Sequence, residues 1–387
     1  MMAACDVLTG ARIFDGRRFL DGHAVVIEDG RVAAIVPASA APEGVRHRLD
    51  GILAPAFVDL QVNGGGGHQV GRTTTPDGLR LVCAAHRGLG SAGVLPTLIS
   101  DTKETTAAVI SAAVSAFQAG VPGFLGLHLE GPHLDPRRKG AHDEALVRPM
   151  DDDDLHRLCA AARRLPALMV TLAPESATPG QIAALAGAGA VVSLGHSDCS
   201  YEVARAAFAA GARCATHLFN AMSQLGSRQP GLAGAVLHGS CAAGLIADGI
   251  HVHAATIEIA LRSRQEGIFL VSDCMAFAGT DLTEICLQGR RILRRNGRLT
   301  LEDGTLAGAD LALAQAVGNL VRMAGIAPER ALAMASRIPA ETIGADHVLG
   351  HVAPGRPAEL VLLDAGWNLA GCWSGSSWLH RPAQGTA

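Results

Sequence analysis

The sequence predicts an α/β protein, a (β/α)8 barrel of TIM type with a small β-sandwich domain built from both chain termini. Eight apolar runs of strand length alternate with longer stretches, several of them Ala-rich and helical in period. Both ends of the chain instead read as short strands broken by turns. Residues able to do chemistry fall at the ends of the apolar runs, which is where a barrel gathers them.

From Asp6 to about Leu53, alternating strands are punctuated by Asp15-Gly16, Asp21-Gly22 and Asp29-Gly30, which supply the positive φ angles that hairpins need. The same texture returns after His347-Val348-Leu349-Gly350 and ends in the apolar strand Glu359 to Asp364, so the two ends are expected to pair. The runs between them are Ala56 to Val62, Gly93 to Ile99, Phe124 to Leu129, Leu168 to Leu172, Val191 to Leu194, Cys214 to Leu218, Gly244 to Ala247 and Ile268 to Ser272. The expected division is a terminal β domain of residues 1–53 plus 347–387 and a catalytic barrel of residues 54–346. The competing α/β design is an open doubly wound sheet. Its fingerprint is missing, because Gly64-Gly65-Gly66-Gly67 lacks the spaced glycines that open a helix over a pyrophosphate.

With 387 residues and 49% hydrophobic content, the chain can bury a large core, which excludes intrinsic disorder. Net charge is -4 and the 32 basic residues are scattered, so no basic face offers itself to nucleic acid or membrane, and the expected partner is a small molecule. Nine well-spaced cysteines, with no CxxC pair, read as reduced thiols. With no signal-like N-terminus and no apolar run of ~18 uncharged residues, a cytoplasmic location is expected.

The strand ends read Asp59-Leu60-Gln61-Val62-Asn63, His128-Leu129-Glu130-Gly131-Pro132, Gly195-His196-Ser197, Thr216-His217-Leu218, Ala247-Asp248-Gly249-Ile250-His251 and Val271-Ser272-Asp273. One glutamate and two histidines on three strands could hold a divalent metal and leave a position open, as catalytic zinc sites do. Each also has a structural reading. A strand-end histidine is often only hydrogen-bonded, an arginine could pair Glu130, and Asp273 could cap the following turn. Only Lys103 and Lys139 are lysines, and neither ends a strand, so a carboxylated lysine bridging two metals is not expected. Gln61-x-Asn63 stands where a His-x-His pair would take a second metal, and carboxamides are weak neutral ligands. One tightly held divalent ion per chain is expected. Zinc is the first choice, and ferrous iron accepts the same ligands.

Seven ordered motifs closely resemble those of the N-acetylglucosamine-6-phosphate deacetylases of the amidohydrolase superfamily. They are Pro55 to Gly64, Leu127 to His133, Gly195 to Asp198, Thr216 to Met222, Pro230 to Gly234, Ala247 to Val252 and the Asp273 segment. The resemblance implies that Glu130, His196 and His217 hold the metal, that Asp273 is the general acid/base and that His142 lies near the substrate amide. It further implies that Asn220, the Ala221 backbone, His251 and Arg228 bind a sugar 6-phosphate. Arg228 would reach in from the neighbouring subunit of a homodimer. His68, among the glycines after the first strand, could serve as an accessory metal ligand, and bulky Phe277 after Asp273 could shift substrate preference. Rival expectations are a deacetylase for the galacto epimer, a cyclic-amide hydrolase, and a non-catalytic assembly protein. The last is disfavoured because all three ligand residues and Asp273 are present.

Overall fold

The computed structural model describes residues 5–380; the first four and last seven residues, which the expected terminal domain includes, lie outside the described residues. Eight strands run in parallel and in sequence order around one sheet: β1 (Phe57–Val62), β2 (Ser91–Ile99), β3 (Leu127–Glu130), β4 (Leu168–Leu172), β5 (Val191–Leu194), β6 (Cys214–Ala215), β7 (Ala242–Leu245) and β8 (Ile268–Leu270). The sheet closes just beyond β8, where Asp273 N–H donates to Gln61 O (3.0 Å) and Asn63 N–H to Cys274 O (2.8 Å). Helices return each strand to the next, from Pro76–Gly88 after β1 to Leu313–Ala324 after β8. Several start where the sequence offers a cap: Thr102 accepts from Thr105 N–H, Ser200 from Val203 N–H, and Thr178 with Gln181 forms a reciprocal box. A continuous apolar core fills the barrel and the layer under its helices.

The strand-length runs and the strands agree in number and order, but β6 stops at Ala215 although the apolar run reaches Leu218. Pairing continues past it through single bonds, Thr216 N–H to Leu194 O (2.9 Å) and Leu218 N–H to Gly244 O (2.7 Å), while His217 turns out of the pleat.

The two chain ends meet in a β-sandwich. One sheet orders Phe19–Leu20, Arg12–Phe14, Ile52–Pro55, Glu359–Leu363, Leu369–Ser374 and Ser377–His380; the other orders Val45–Arg48, Asp6–Thr9, His23–Glu28 and Arg31–Pro37. Leu8, Ile13, Val25, Leu53, Leu360 and Trp373 pack between them. At the tip of the second sheet Asp29 (φ 48°) and Gly30 (φ 73°) make the expected two-residue turn between paired Glu28 and Arg31.

A further sheet was not anticipated. Glu284–Leu287, Arg290–Arg295, Arg298–Leu301 and Leu306–Ala309 form an antiparallel meander inserted between β8 and the last barrel helix. Its apolar face, with Leu287, Ile292 and Leu299, packs on Ile99, Met275 and Phe277. Phe277, expected to bear on substrate preference, is therefore buried under this sheet.

Candidate active site

Glu130 ends β3, His196 and His217 stand two residues past the ends of β5 and β6, and Asp273 three past β8, so all four share the C-terminal mouth of the barrel. His196 (φ 47°), His217 (φ 26°) and Asp273 (φ 48°) all adopt left-handed backbone, uncommon for residues other than glycine and found where surrounding structure holds a side chain to a task. All four are buried, with Asp273 the most accessible at 8%.

Glu130 Oε1 lies 3.1 Å from His196 Nε2 and 3.0 Å from His217 Nε2, and the two Nε2 atoms are 3.1 Å apart. His196 Nδ1–H donates to Arg138 O at 2.8 Å, which leaves Nε2 of the neutral ring as a lone pair facing a carboxylate. Acceptor against acceptor is favourable only with a cation between them. The separations approach the ~3.3 Å edge of a tetrahedron of ~2.0–2.1 Å zinc bonds, so the donor set fits a divalent ion. Burial alone would raise the Glu130 pKa; where His196 and His217 carry protons in place of a cation, their hydrogen bonds and charge outweigh burial and hold the carboxyl well below its usual range, the same pull a bound cation exerts.

His142 comes from the loop after β3, and its Nε2 is 4.0 Å from Glu130 Oε2. By proximity alone Glu130, His142 and His196 form a possible ligand set. The hydrogen bonds argue otherwise for His142. Its Nδ1 accepts Ser100 N–H (3.2 Å) and lies 2.8 Å from Ser100 Oγ, so the proton of the neutral ring sits on Nε2, facing the site as a donor. Burial and then the neighbouring His196 push its pKa down to about 3, which keeps the ring neutral.

Asp273 Oδ1 accepts from Gln61 Nε2 (3.1 Å) and Asn63 Nδ2 (2.8 Å), and Gln61 Nε2 also donates to Glu130 Oε1 (3.2 Å). The two carboxamides that stand where a second metal's histidines would be thus present N–H groups to carboxylates. They position Asp273 and leave Oδ2 as its open oxygen. Burial first, then the Glu130 charge, raises the Asp273 pKa to about 6.

Past His217, Asn220 and Ala221 sit in the same turn, with Ala221 at φ 49°. His251, after β7, lies 2.6 Å through Nδ1 from Asp248 Oδ2, which directs its Nε2 away from that carboxylate. Arg228 is exposed on the Gly226 to Gln229 loop and makes no ion pair or hydrogen bond among the described residues. His68 packs beside Gly78 at the start of the first barrel helix.

Sequence reasoning missed Ser100, which sets the His142 tautomer, and Gln288, whose Nε2 donates to Ser100 O (3.0 Å) and Asp101 Oδ2 (3.2 Å) from the tip of the inserted sheet. The hairpin signals Gln288-Gly289 and Asn296-Gly297, both pairs at positive φ, could have found that sheet. It also left unassigned the barrel-interior chain in which His128 Nε2 meets Thr171 Oγ1 (2.7 Å) and Thr171 meets Thr216 (2.6 Å).

The pattern of the Amidohydrolase family matches residues 52–376, and that of the NagA composite domain residues 7–52. The chain is 35% identical over 384 residues to an N-acetylgalactosamine-6-phosphate deacetylase of Shewanella sp. (strain ANA-3), covering 98% of this chain and 97% of that one. It is 31% identical over 364 residues to an N-acetylglucosamine-6-phosphate deacetylase of Haemophilus influenzae, covering 93% and 95%. Among solved structures, N-acetylglucosamine-6-phosphate deacetylase from Pasteurella multocida superposes with a TM-score of 0.93 at 31% identity over 97% of this chain and 100% of that one.

Proposed function

The chain belongs to the amidohydrolase family, and we propose that it removes acetate from N-acetyl-D-glucosamine 6-phosphate, releasing D-glucosamine 6-phosphate. The observation that carries the reading is the joint arrangement of Glu130, His196 and His217 around one cation position with Asp273 held beside them by Gln61 and Asn63. Full-length similarity to deacetylases of two hexosamine 6-phosphates supports the substrate class.

Glu130, His196 and His217 would hold one divalent ion, which we take to be zinc. Bound there, it supplies Lewis acidity, polarising the acetyl carbonyl and making water a usable nucleophile at neutral pH. Asp273 Oδ2, the oxygen its amide partners leave open, accepts the proton of the attacking water. The same carboxyl then passes that proton to the nitrogen, so that the sugar leaves as a neutral amine. His142 Nε2–H donates to the carbonyl oxygen as negative charge develops on it, a contact worth ~3 kcal/mol in a well-placed donor. His251 Nε2, Asn220 and the Ala221 backbone bind the phosphate of the substrate, with Arg228 supplied by the second subunit of a homodimer.

One finding favours keeping the galacto epimer as a second reading: the 35% relative is an N-acetylgalactosamine-6-phosphate deacetylase, whereas the 31% relative is named for the gluco form. Measuring acetate release from both epimers by the zinc-loaded enzyme tests this. Release from the gluco form with the higher kcat/KM is expected; the reverse order assigns the galacto epimer, and release from neither removes the function.

Arg228 gives a separate expectation. A solvated surface arginine would tolerate replacement, with kinetics unchanged. If Arg228 pairs with the phosphate, Arg228→Ala should cost ~1.5 to 3 kcal/mol in kcat/KM for the phosphorylated sugar and leave the unphosphorylated sugar nearly unaffected. Mixing Arg228→Ala chains with Asp273→Asn chains should then restore one working site per heterodimer. No recovery, with subunit exchange confirmed, places Arg228 outside the neighbour's site.

A further inference from the structure

Resting on the reading of Glu130, His196 and His217 as a metal centre, we propose that Arg138 and Asp198 are positioning residues for the metal, because their ion pair fixes the backbone carbonyl that keeps the His196 Nε2 lone pair available. The geometry starts at His196 Nδ1–H, which donates to Arg138 O at 2.8 Å. Metal-binding histidines generally donate the other ring N–H in this way, and the partner sets which nitrogen is left to ligate.

That carbonyl sits on a segment with little to hold it. Residues 136–140, including the short helical turn Pro136–Arg138, place no side chain in the core. What fixes the segment is polar cross-linking to the stretch after His196. Arg138 Nε donates to Asp198 Oδ1 (2.8 Å) and Nη2 lies 2.6 Å from the same oxygen. Asp135 N–H donates to His196 O (2.9 Å), and Asp198 N–H donates to Asp135 Oδ2 (3.3 Å) and Glu175 Oε1 (3.0 Å). Arg137 in turn grips Asp135 through Nε (2.9 Å) and Nη2 (2.6 Å). Asp198 is two residues beyond His196, so the ion pair ties the carbonyl's own residue to the segment that carries the ligand.

The ordinary interpretation is a half-exposed surface ion pair that contributes little. The difference lies in what its loss exposes. If Arg138 swings away, its carbonyl loses its place, and the His196 Nδ1–H is left without an acceptor in a site where the residue is only 4% exposed. The proton then favours Nε2, where it blocks ligation.

The test titrates metal-free protein with zinc in competition with a chromogenic zinc chelator. Arg138→Met and Asp198→Ala should each weaken zinc binding ~10- to 100-fold, the usual consequence of losing such a partner. Arg138→Lys should recover part of the affinity. Lys139→Met, which breaks only the neighbouring pair to Glu144, should bind as the wild type does. Melting of the metal-free proteins is measured alongside, and if one of the two variants melts early, the other decides. Affinities within twofold of wild type in a normally folded variant overturn the inference alone. Wild-type protein that takes up no zinc overturns the metal-centre reading, and the inference with it.

Discussion

Replacing Asp273 by asparagine should lower kcat by ~10²- to 10⁴-fold while the metal stays bound. Asparagine is nearly the same size, and its carbonyl oxygen can still accept from Gln61 Nε2 and Asn63 Nδ2, as Oδ1 of Asp273 does at 3.1 and 2.8 Å. What disappears is the open Oδ2, the atom that takes a proton from water and returns it to the amine. The wild-type pH profile carries the same information. A carboxyl must be ionised to act as a base, so kcat/KM is present above its pKa and lost below it. Burial and the Glu130 charge raise the Asp273 pKa to about 6, and a cation held by Glu130 can only lower it, so the acid limb should fall at or below about 6. The asparagine variant should lack that limb. If it keeps more than about a tenth of wild-type kcat, the proton role belongs to another residue, His142 being the first to examine.

His196→Asn and His217→Asn should each abolish both metal binding and activity and leave the barrel folded. A carboxamide is a weak neutral ligand on a shorter side chain, and it leaves Glu130, which already meets both rings at 3.0 to 3.1 Å, without a complete cation site. The fold should survive because the apolar core of the barrel lies under the mouth and includes neither histidine. Elemental analysis, acetate release and thermal melting on the same samples check this. Activity that persists after the metal is gone contradicts the mechanism.

The barrel was readable because its strands are buried apolar runs with helices between, and closure then gathers whatever ends those runs into one mouth. Glu130, His196, His217 and Asp273 could therefore be named before their distances were known. The inserted meander escaped because its strands are short, half exposed and rich in arginine, as in Arg290–Arg295, so no apolar run announces it. Its turns were the only legible part. The support behind the ligands was invisible for a different reason. The Arg138 carbonyl and the Ser100 N–H act through backbone atoms, which every residue carries, so side-chain identity says nothing of where they point. Gln61 and Asn63 are plain carboxamides in the sequence, and their grip on Asp273 spans more than two hundred residues and needs the closed sheet.

The proposed activity requires a deacetylase site built around one metal ion. Its most direct measurement is a zinc titration of metal-free enzyme with acetate release from N-acetylglucosamine 6-phosphate followed at each addition. Activity should rise linearly from near zero and break at one equivalent per chain, because Gln61 and Asn63 offer N–H groups where a second ion would need lone pairs. A break at two equivalents, or full activity in the metal-free enzyme, would contradict the account.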